Sequence, residues 1–290
     1  MTKKIVSGTV FLLFSLYFIL VQASDFKVEK STFVYKTIDG VKLEMVMYKP
    51  ETELKQLPAI VFFFGGGWIK GDPSQFQHQA EYFASRGMVA FCADYRTQSK
   101  HGTTPFESVK DARSAIRYLK LHGKELNIDT EKIVASGGSA GGHLALCTAL
   151  IDDINEKGDE MSVSPVPFAL VLFNPVVDTG KKGYSKGIPQ GREFEISPVH
   201  HITDHVPPVL IMHGNEDKTV VPENVIRFNY LMKQRSNKSA LELYKKQDHG
   251  FFNYNVSLKY FRKTLLRSEE FLENYNLLKG ESWGKKYPKS

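Results

Sequence analysis

The chain has 290 residues, of which 42% are hydrophobic, 24% charged and 12% aromatic. This length and composition exclude a disordered protein and favour one large α/β domain with a substantial core. The formal net charge is +6, but the basic residues are spread along the chain. We therefore expect solvated surface lysines and no nucleic-acid partner.

The N-terminus has the features of a secretory signal. Lys3 and Lys4 precede an apolar run from Val10 to Val21, and the small-residue pattern ends at Ala23. We predict a signal peptide over residues 1–23, a single domain over 24–290 with a net charge of +4 (6 minus 2), and a secreted or periplasmic location. A retained anchor is the alternative, although the run is shorter than the roughly 20 residues of a spanning helix. After signal removal, no stable membrane span is expected.

The pattern after the signal predicts a mixed sheet. Thr32 to Thr37 and Val41 to Tyr48 flank Asp39-Gly40, which indicates a β-hairpin. Short apolar runs typical of buried parallel strands follow, at Ala59–Phe64, Met88–Cys92, Ile133–Ala135, Phe168–Phe173 and Val209–Met212. Helices are predicted between or after them at Pro105–His122, Gly142–Ile151 and Leu258–Leu278, so the sheet should carry helices on both faces.

Three other regions complete the chain. Asp178 to His205 is irregular and is predicted to form either a substrate-facing loop or a plain connection. Gly280 to Ser290 is predicted as a polar tail. Cys92 and Cys147 lie in apolar stretches and are interpreted as core residues, with a bridge left open.

The strongest chemical signal is Gly137-Gly138-Ser139-Ala140-Gly141, between a predicted strand and a predicted helix. A serine on such a strained turn needs small neighbours, and the turn exposes its hydroxyl. A glycine-rich turn without function is the alternative, but the strand-to-helix setting favours a nucleophile. Gly65-Gly66-Gly67 follows the first buried strand and lets backbone N–H groups approach a substrate oxygen. We assign oxyanion donors to Gly66, Gly67 and Ala140.

A carboxylate and a histidine complete the set of catalytic candidates. Asp217 follows the strand Val209–Met212, and His249 follows a predicted strand at Leu241–Tyr244. Glu216 is the rival acid, and Asp248 is interpreted as a turn residue. The remaining candidates are given structural roles: His143 is expected to be packed, His213 to support the acid loop, and His200, His201 and His205 to be loop residues, because they lack metal-ligand spacing.

These residues resemble the esterase and lipase branch of the α/β-hydrolases, including the hormone-sensitive-lipase-like and the acetyl- or feruloyl-esterase-like enzymes. The resemblance rests on the two glycine turns, on His213-Gly-Asn-Glu-Asp217, on Asp248-His-Gly-Phe251 and on the chain order Ser139, Asp217, His249. It implies an α/β-hydrolase fold, a Ser-His-Asp mechanism and no metal or organic cofactor. One departure is Phe64, where relatives usually carry a histidine that helps to fix the oxyanion loop.

The expected function is that of an exported serine esterase acting on short-chain esters, which include acetyl or related esters on plant-type polysaccharides. Its partner would be a small-molecule or polysaccharide ester, and Trp68 is a candidate for the substrate pocket, with packing beneath the oxyanion loop as its other role. The alternatives are a broad carboxylesterase or lipase, a single-domain serine peptidase, or a non-catalytic binding protein of the same fold. The sequence leaves the oligomeric state open.

Overall fold

The computed structural model describes residues 25–287, so the predicted signal peptide lies outside the described residues. Its centre is an eight-stranded sheet in the order β1-β2-β4-β3-β5-β6-β7-β8. The strands are β1 Val28–Ile38, β2 Val41–Pro50, β3 Leu57–Phe63, β4 Val89–Ala93, β5 Ile128–Gly138, β6 Ala169–Phe173, β7 Val209–Gly214 and β8 Ser239–Tyr244. β1 and β2 pair antiparallel to each other, β2 pairs antiparallel to β4, and the other pairs are parallel.

Helices cover the sheet. They are α1 Gln77–Ser85, α2 Gln98–His101, α3 Pro105–Leu121, α4 Gly123–Leu126, α5 Ala140–Leu150, α6 Pro222–Gln234 and α7 Leu258–Glu273. The predicted closing helix is therefore five residues shorter than expected, and the helix after Ser139 begins two residues earlier. No helix within residues 25–287 is both long enough and apolar enough to cross a membrane.

The N-terminal hairpin was predicted correctly. Asp39 and Gly40 both have positive φ, 49° and 77°, which matches the twist of a two-residue hairpin turn. The register pairs Ile38 with Val41 directly across this turn. The mixed sheet with an antiparallel N-terminal pair is thus confirmed.

The core lies on both faces of the sheet. Successive side chains of β3 alternate between two buried clusters, with Val61 and Phe63 in one and Ile60 and Phe62 in the other. Residues of α3, α5 and α6 belong to the first cluster, and residues of α1 and α7 to the second. β3 is buried along its whole length because both its faces are covered.

The C-terminal segment is not the polar tail that was predicted. Tyr287 is buried, its ring stacks on Trp283 at 5.3 Å, and its hydroxyl lies 2.8 Å from Nδ1 of His78. These aromatic residues pack against α1 and α7, so the expectation was wrong up to Tyr287. Cys92 and Cys147 are both buried and unbridged.

The parallel strands place six loops at one edge of the sheet. β3 to β8 all run in the same direction, and neighbouring strands end in register: Phe63 pairs with Ala93 and with Gly137, Gly138 with Phe173, and Gly214 with Tyr244. The loops after these strands therefore emerge side by side, as binding loops do in open α/β sheets.

Candidate active site

Ser139 occupies a strained turn between β5 and α5. Its φ of 55° and ψ of −118° are rare for a residue with a side chain. The turn is possible because its neighbours are small: a Cβ on Gly141 would overlap the carbonyl oxygen of Phe63, and a Cβ on Gly137 would overlap Gly141 itself. The Ser139 N–H donates to the Phe173 carbonyl at 2.9 Å, which ties the turn to β6.

The structure brings Ser139, His249 and Asp217 together. Nε2 of His249 lies 3.0 Å from the Ser139 Oγ, and Nδ1 lies 2.7 Å from Oδ2 of Asp217. The three residues come from the loops after β5, β8 and β7. This linear arrangement is the one in which a histidine can take a proton from a serine while a carboxylate orients the imidazole.

Asp217 is held as a buried carboxylate. Its Oδ1 accepts hydrogen bonds from the backbone N–H groups of Thr219 at 2.9 Å and Val220 at 3.0 Å, and Nε2 of His213 lies 3.3 Å from Oδ2. Burial alone would raise the pKa of Asp217, but the hydrogen bonds from His213, His249 and the backbone hold it far below its ordinary value. The carboxylate therefore remains negative at neutral pH.

The rival residues lie elsewhere. Glu216 is exposed, and Oδ1 of Asp248 accepts from the N–H groups of Lys218 and His249, as a turn residue does. His143 is buried on α5, where Nε2 donates to the Ile196 carbonyl at 2.6 Å and burial lowers its pKa to about 4.

Two of the three loop histidines also have local partners. His200 contacts Ser197 and His201 contacts Phe194, each at 2.8 Å. Among residues 25–287, no group of three or more His, Cys, Asp or Glu side chains is arranged to hold a metal ion.

The glycine loop lies beside the serine. The Gly65 N–H donates to Oε1 of Gln75 at 2.6 Å, and a Cβ on Gly65 would lie 3.4 Å from the Ser139 Cβ. In the described part of the chain, the N–H groups of Gly66 and Gly67 make no hydrogen bond, and that of Ala140 begins α5 and has no acceptor within the helix. All three remain available to a substrate oxygen.

An aromatic stack holds this loop at Phe64. The Phe64 ring stacks on Tyr95 with ring centroids 4.0 Å apart, and the Tyr95 hydroxyl donates to the Phe64 carbonyl at 2.8 Å. Gly71 packs directly against the Phe64 ring, where a Cβ would overlap. The side chains of Phe64 and Tyr95 are both buried, so their packing holds the loop at this position.

Tyr95→Phe should lower the free energy of unfolding by about 1–3 kcal/mol, because the buried Phe64 carbonyl loses its donor. Urea denaturation followed by circular dichroism measures this, with the exposed Tyr230→Phe as the matched control. Equal stabilities for the two variants would show that the hydroxyl does not hold the loop.

A cavity of about 280 Å³ opens over Ser139 and His249. Trp68 does not line it, so of its two expected roles the substrate pocket was wrong and packing is the one observed: the side chain is buried and packs edge-on against His143, with ring centroids 4.9 Å apart. Tyr184 lines the cavity instead, with its hydroxyl 2.8 Å from where a Cβ on Gly67 would lie.

Further cavity residues escaped sequence analysis, among them Lys70, Gln75, Asn174 and Asn253. Asn174 could have been found from its place directly after the strand Phe168–Phe173. The others carry no comparable local signal.

Comparison with known proteins gives the family. Residues 45–178 match the BD-FAE family and residues 183–273 match the dienelactone hydrolase family. The structure of Thermogutta terrifontis esterase 2 phosphoramylated by tabun is similar, with a TM-score of 0.83 and 42% identity over 86% of this chain and 96% of that one. The chain belongs to the esterase branch of the α/β-hydrolase superfamily.

Further proteins similar to this α/β-hydrolase are named as esterases. The propionate-bound structure of the Thermogutta enzyme is 41% identical, with a TM-score of 0.81 over 87% of this chain and 97% of that one. The acetylxylan esterase of Xylanibacter ruminicola is 27% identical over 80% of this chain and 48% of its own. A probable isoprenylcysteine alpha-carbonyl methylesterase of Arabidopsis thaliana is 26% identical over 73% of this chain and 49% of its own. This chain spans about half the length of these two curated relatives.

Proposed function

We propose that this α/β-hydrolase is a serine esterase that hydrolyses short-chain carboxylic esters. The observation that carries the proposal is the unbroken line of hydrogen bonds from Ser139 through His249 to Asp217, beside a glycine loop with free N–H groups. A binding protein without catalysis would have no use for this arrangement.

The reaction would proceed in two halves. His249 takes the Ser139 proton at Nε2 while Oγ attacks the ester carbonyl, and the N–H groups of Gly66, Gly67 and Ala140 stabilise the oxyanion. The C–O bond to the alcohol then breaks, the alcohol leaves with the proton from His249, and an acyl-enzyme remains. Water gives a proton to His249 and attacks this ester, the bond between the acyl carbon and Oγ breaks, Oγ takes the proton back from His249, and the carboxylic acid leaves.

A short acyl group suits the cavity. Tyr184 comes from the irregular stretch Asp178 to His205, for which a substrate-facing loop and a plain connection were both open, and its ring tilts against Trp68 with centroids 5.7 Å apart. The stretch is held by Asp178, whose carboxylate accepts from the Gly180 N–H at 2.7 Å and from Arg227 at 3.2 Å. Tyr184 is therefore held in place and forms one wall of the cavity beside the glycine loop Gly65 to Gly67. The propionate complex of the Thermogutta relative also supports a short acyl group.

Acetyl esters of plant-type polysaccharides are the natural substrates we propose. The acetylxylan esterase relative supports this class, and the cavity carries polar groups from Gln75, Thr219 and Asn253 that suit the hydroxyl groups of a sugar residue. The predicted signal over residues 1–23 would bring the enzyme to such polymers. Incubation with acetylated xylan should release acetate, and no acetate above the Ser139→Ala background would remove this substrate.

Tyr184→Ala should increase the ratio of kcat/KM for p-nitrophenyl octanoate to that for the acetate by about tenfold or more, because each buried CH₂ contributes about 0.8 kcal/mol. Tyr184→Phe should keep the wild-type ratio, since the ring forms the wall. Tyr230→Ala, on the exposed face of α6, is the matched control. An unchanged ratio in Tyr184→Ala would place the limit on acyl length elsewhere.

A further inference from the structure

Asn174 contacts the imidazole of His249 in an unusual way. Its Nδ2 lies 3.3 Å from Nδ1 and 3.4 Å from Nε2 of the ring. An atom at these two distances cannot lie in the plane of the ring, because there it would overlap Cε1 or the opposite ring edge. Both ring nitrogens are also engaged, with Asp217 and Ser139. The amide nitrogen therefore lies over the face of the imidazole.

Asn174 has features that destabilise the folded protein. Asn174 is fully buried, its φ is +35°, and its Oδ1 has no hydrogen-bond partner among the described residues. A buried carbonyl oxygen without a donor destabilises a protein, and a positive φ costs some free energy even at asparagine, which tolerates it better than most residues with a side chain. Its backbone N–H donates to the Met212 carbonyl at 2.7 Å, which fixes it between β6 and β7. Strain of this kind beside a catalytic base indicates a role in the reaction.

We propose that Asn174 is a positioning residue for His249. Its amide N–H group rests on the ring face, keeps the ring in line with Ser139 and Asp217, and favours the neutral imidazole that accepts the serine proton. A donor over an aromatic face is attracted by the neutral ring and repelled by the imidazolium. This inference rests on the proposed esterase function.

The charged groups around His249 are few. Asp217, with His213 behind it, lies at Nδ1, Asp248 precedes His249 in the chain, and Lys70 lines the same cavity. Substitutions at Asn174 leave all four in place. In Asn174→Gly, a change in pH dependence can therefore be assigned to the loss of the amide.

Two variants test the proposal. Asn174→Gly removes the amide and tolerates the positive φ, whereas Asn174→Asp keeps the shape and places a carboxylate on the ring. We expect the acid limb of kcat/KM for p-nitrophenyl acetate to move to higher pH by about half a unit in the glycine variant. In the aspartate variant it should move by about one unit or more, because a carboxylate favours the imidazolium. At the plateau, kcat should fall about two- to fivefold in Asn174→Gly.

Asn276→Gly is the matched control, because Asn276 also has a positive φ, 55°, but is exposed beyond α7. Its acid limb should coincide with that of the wild type. An acid limb that stays in place or moves to lower pH in the Asn174 variants would overturn the inference. If Asn174→Gly does not fold, Asn174→Asp against wild type decides. A wild type without turnover, or turnover that survives Ser139→Ala, would instead overturn the proposed function.

Discussion

Ser139→Ala should lower kcat for p-nitrophenyl acetate by about four to six orders of magnitude. The hydroxyl is the only group in the turn from Gly137 to Gly141 that can form the acyl-enzyme, and its oxygen lies 3.0 Å from Nε2 of His249, which takes its proton. Steady-state kinetics with the chromogenic ester measures the loss. The fold should persist, because the turn depends on small neighbours of residue 139 and alanine is smaller than serine.

The control for this variant is Ser185→Ala, an exposed serine next to Tyr184 in the chain. Its kcat should remain near that of the wild type, and both variants should show the wild-type circular dichroism spectrum. Substantial turnover in a folded Ser139→Ala protein would mean that another group forms the acyl-enzyme, or that none is formed.

Asp217→Asn should lower kcat by about 10⁴-fold. Oδ1 of Asp217 accepts from Thr219 and Val220, so the amide oxygen of asparagine would take that place and the NH₂ group would face Nδ1 of His249. The imidazole would then carry its proton on Nε2, where it cannot accept the proton of Ser139. KM should change little, because the residue lies behind the histidine and away from substrate.

Two neighbouring acids supply the matched controls. Glu216→Gln and Asp248→Asn change exposed carboxylates within the same loops, and each should keep kcat within about threefold of wild type. A large loss in Glu216→Gln together with an active Asp217→Asn would reverse the assignment of the acid.

The nearest residues in the chain were enough to predict the turns and strands on which the site is built. The strained turn at Ser139 needs glycines on both sides, and the hairpin at Asp39-Gly40 needs residues that tolerate positive φ. Each turn can therefore be predicted from a few consecutive residues. The alternation of short apolar runs with helical periodicity predicted the mixed sheet. Because parallel strands end at one edge, the loops carrying Asp217 and His249 could be expected to meet there.

Tertiary structure alone decided the side-chain environments. Trp68 and Tyr184 are both aromatic residues near glycines, yet packing against His143 buries the first and leaves the second at the cavity. Asn174 meets His249 from 75 residues away, and Tyr287 reaches His78 across 209. Such contacts depend on how distant elements pack, which no local pattern records. The sequence determined by itself which residues could do chemistry, and the packing of the sheet and its helices decided which of them face the serine.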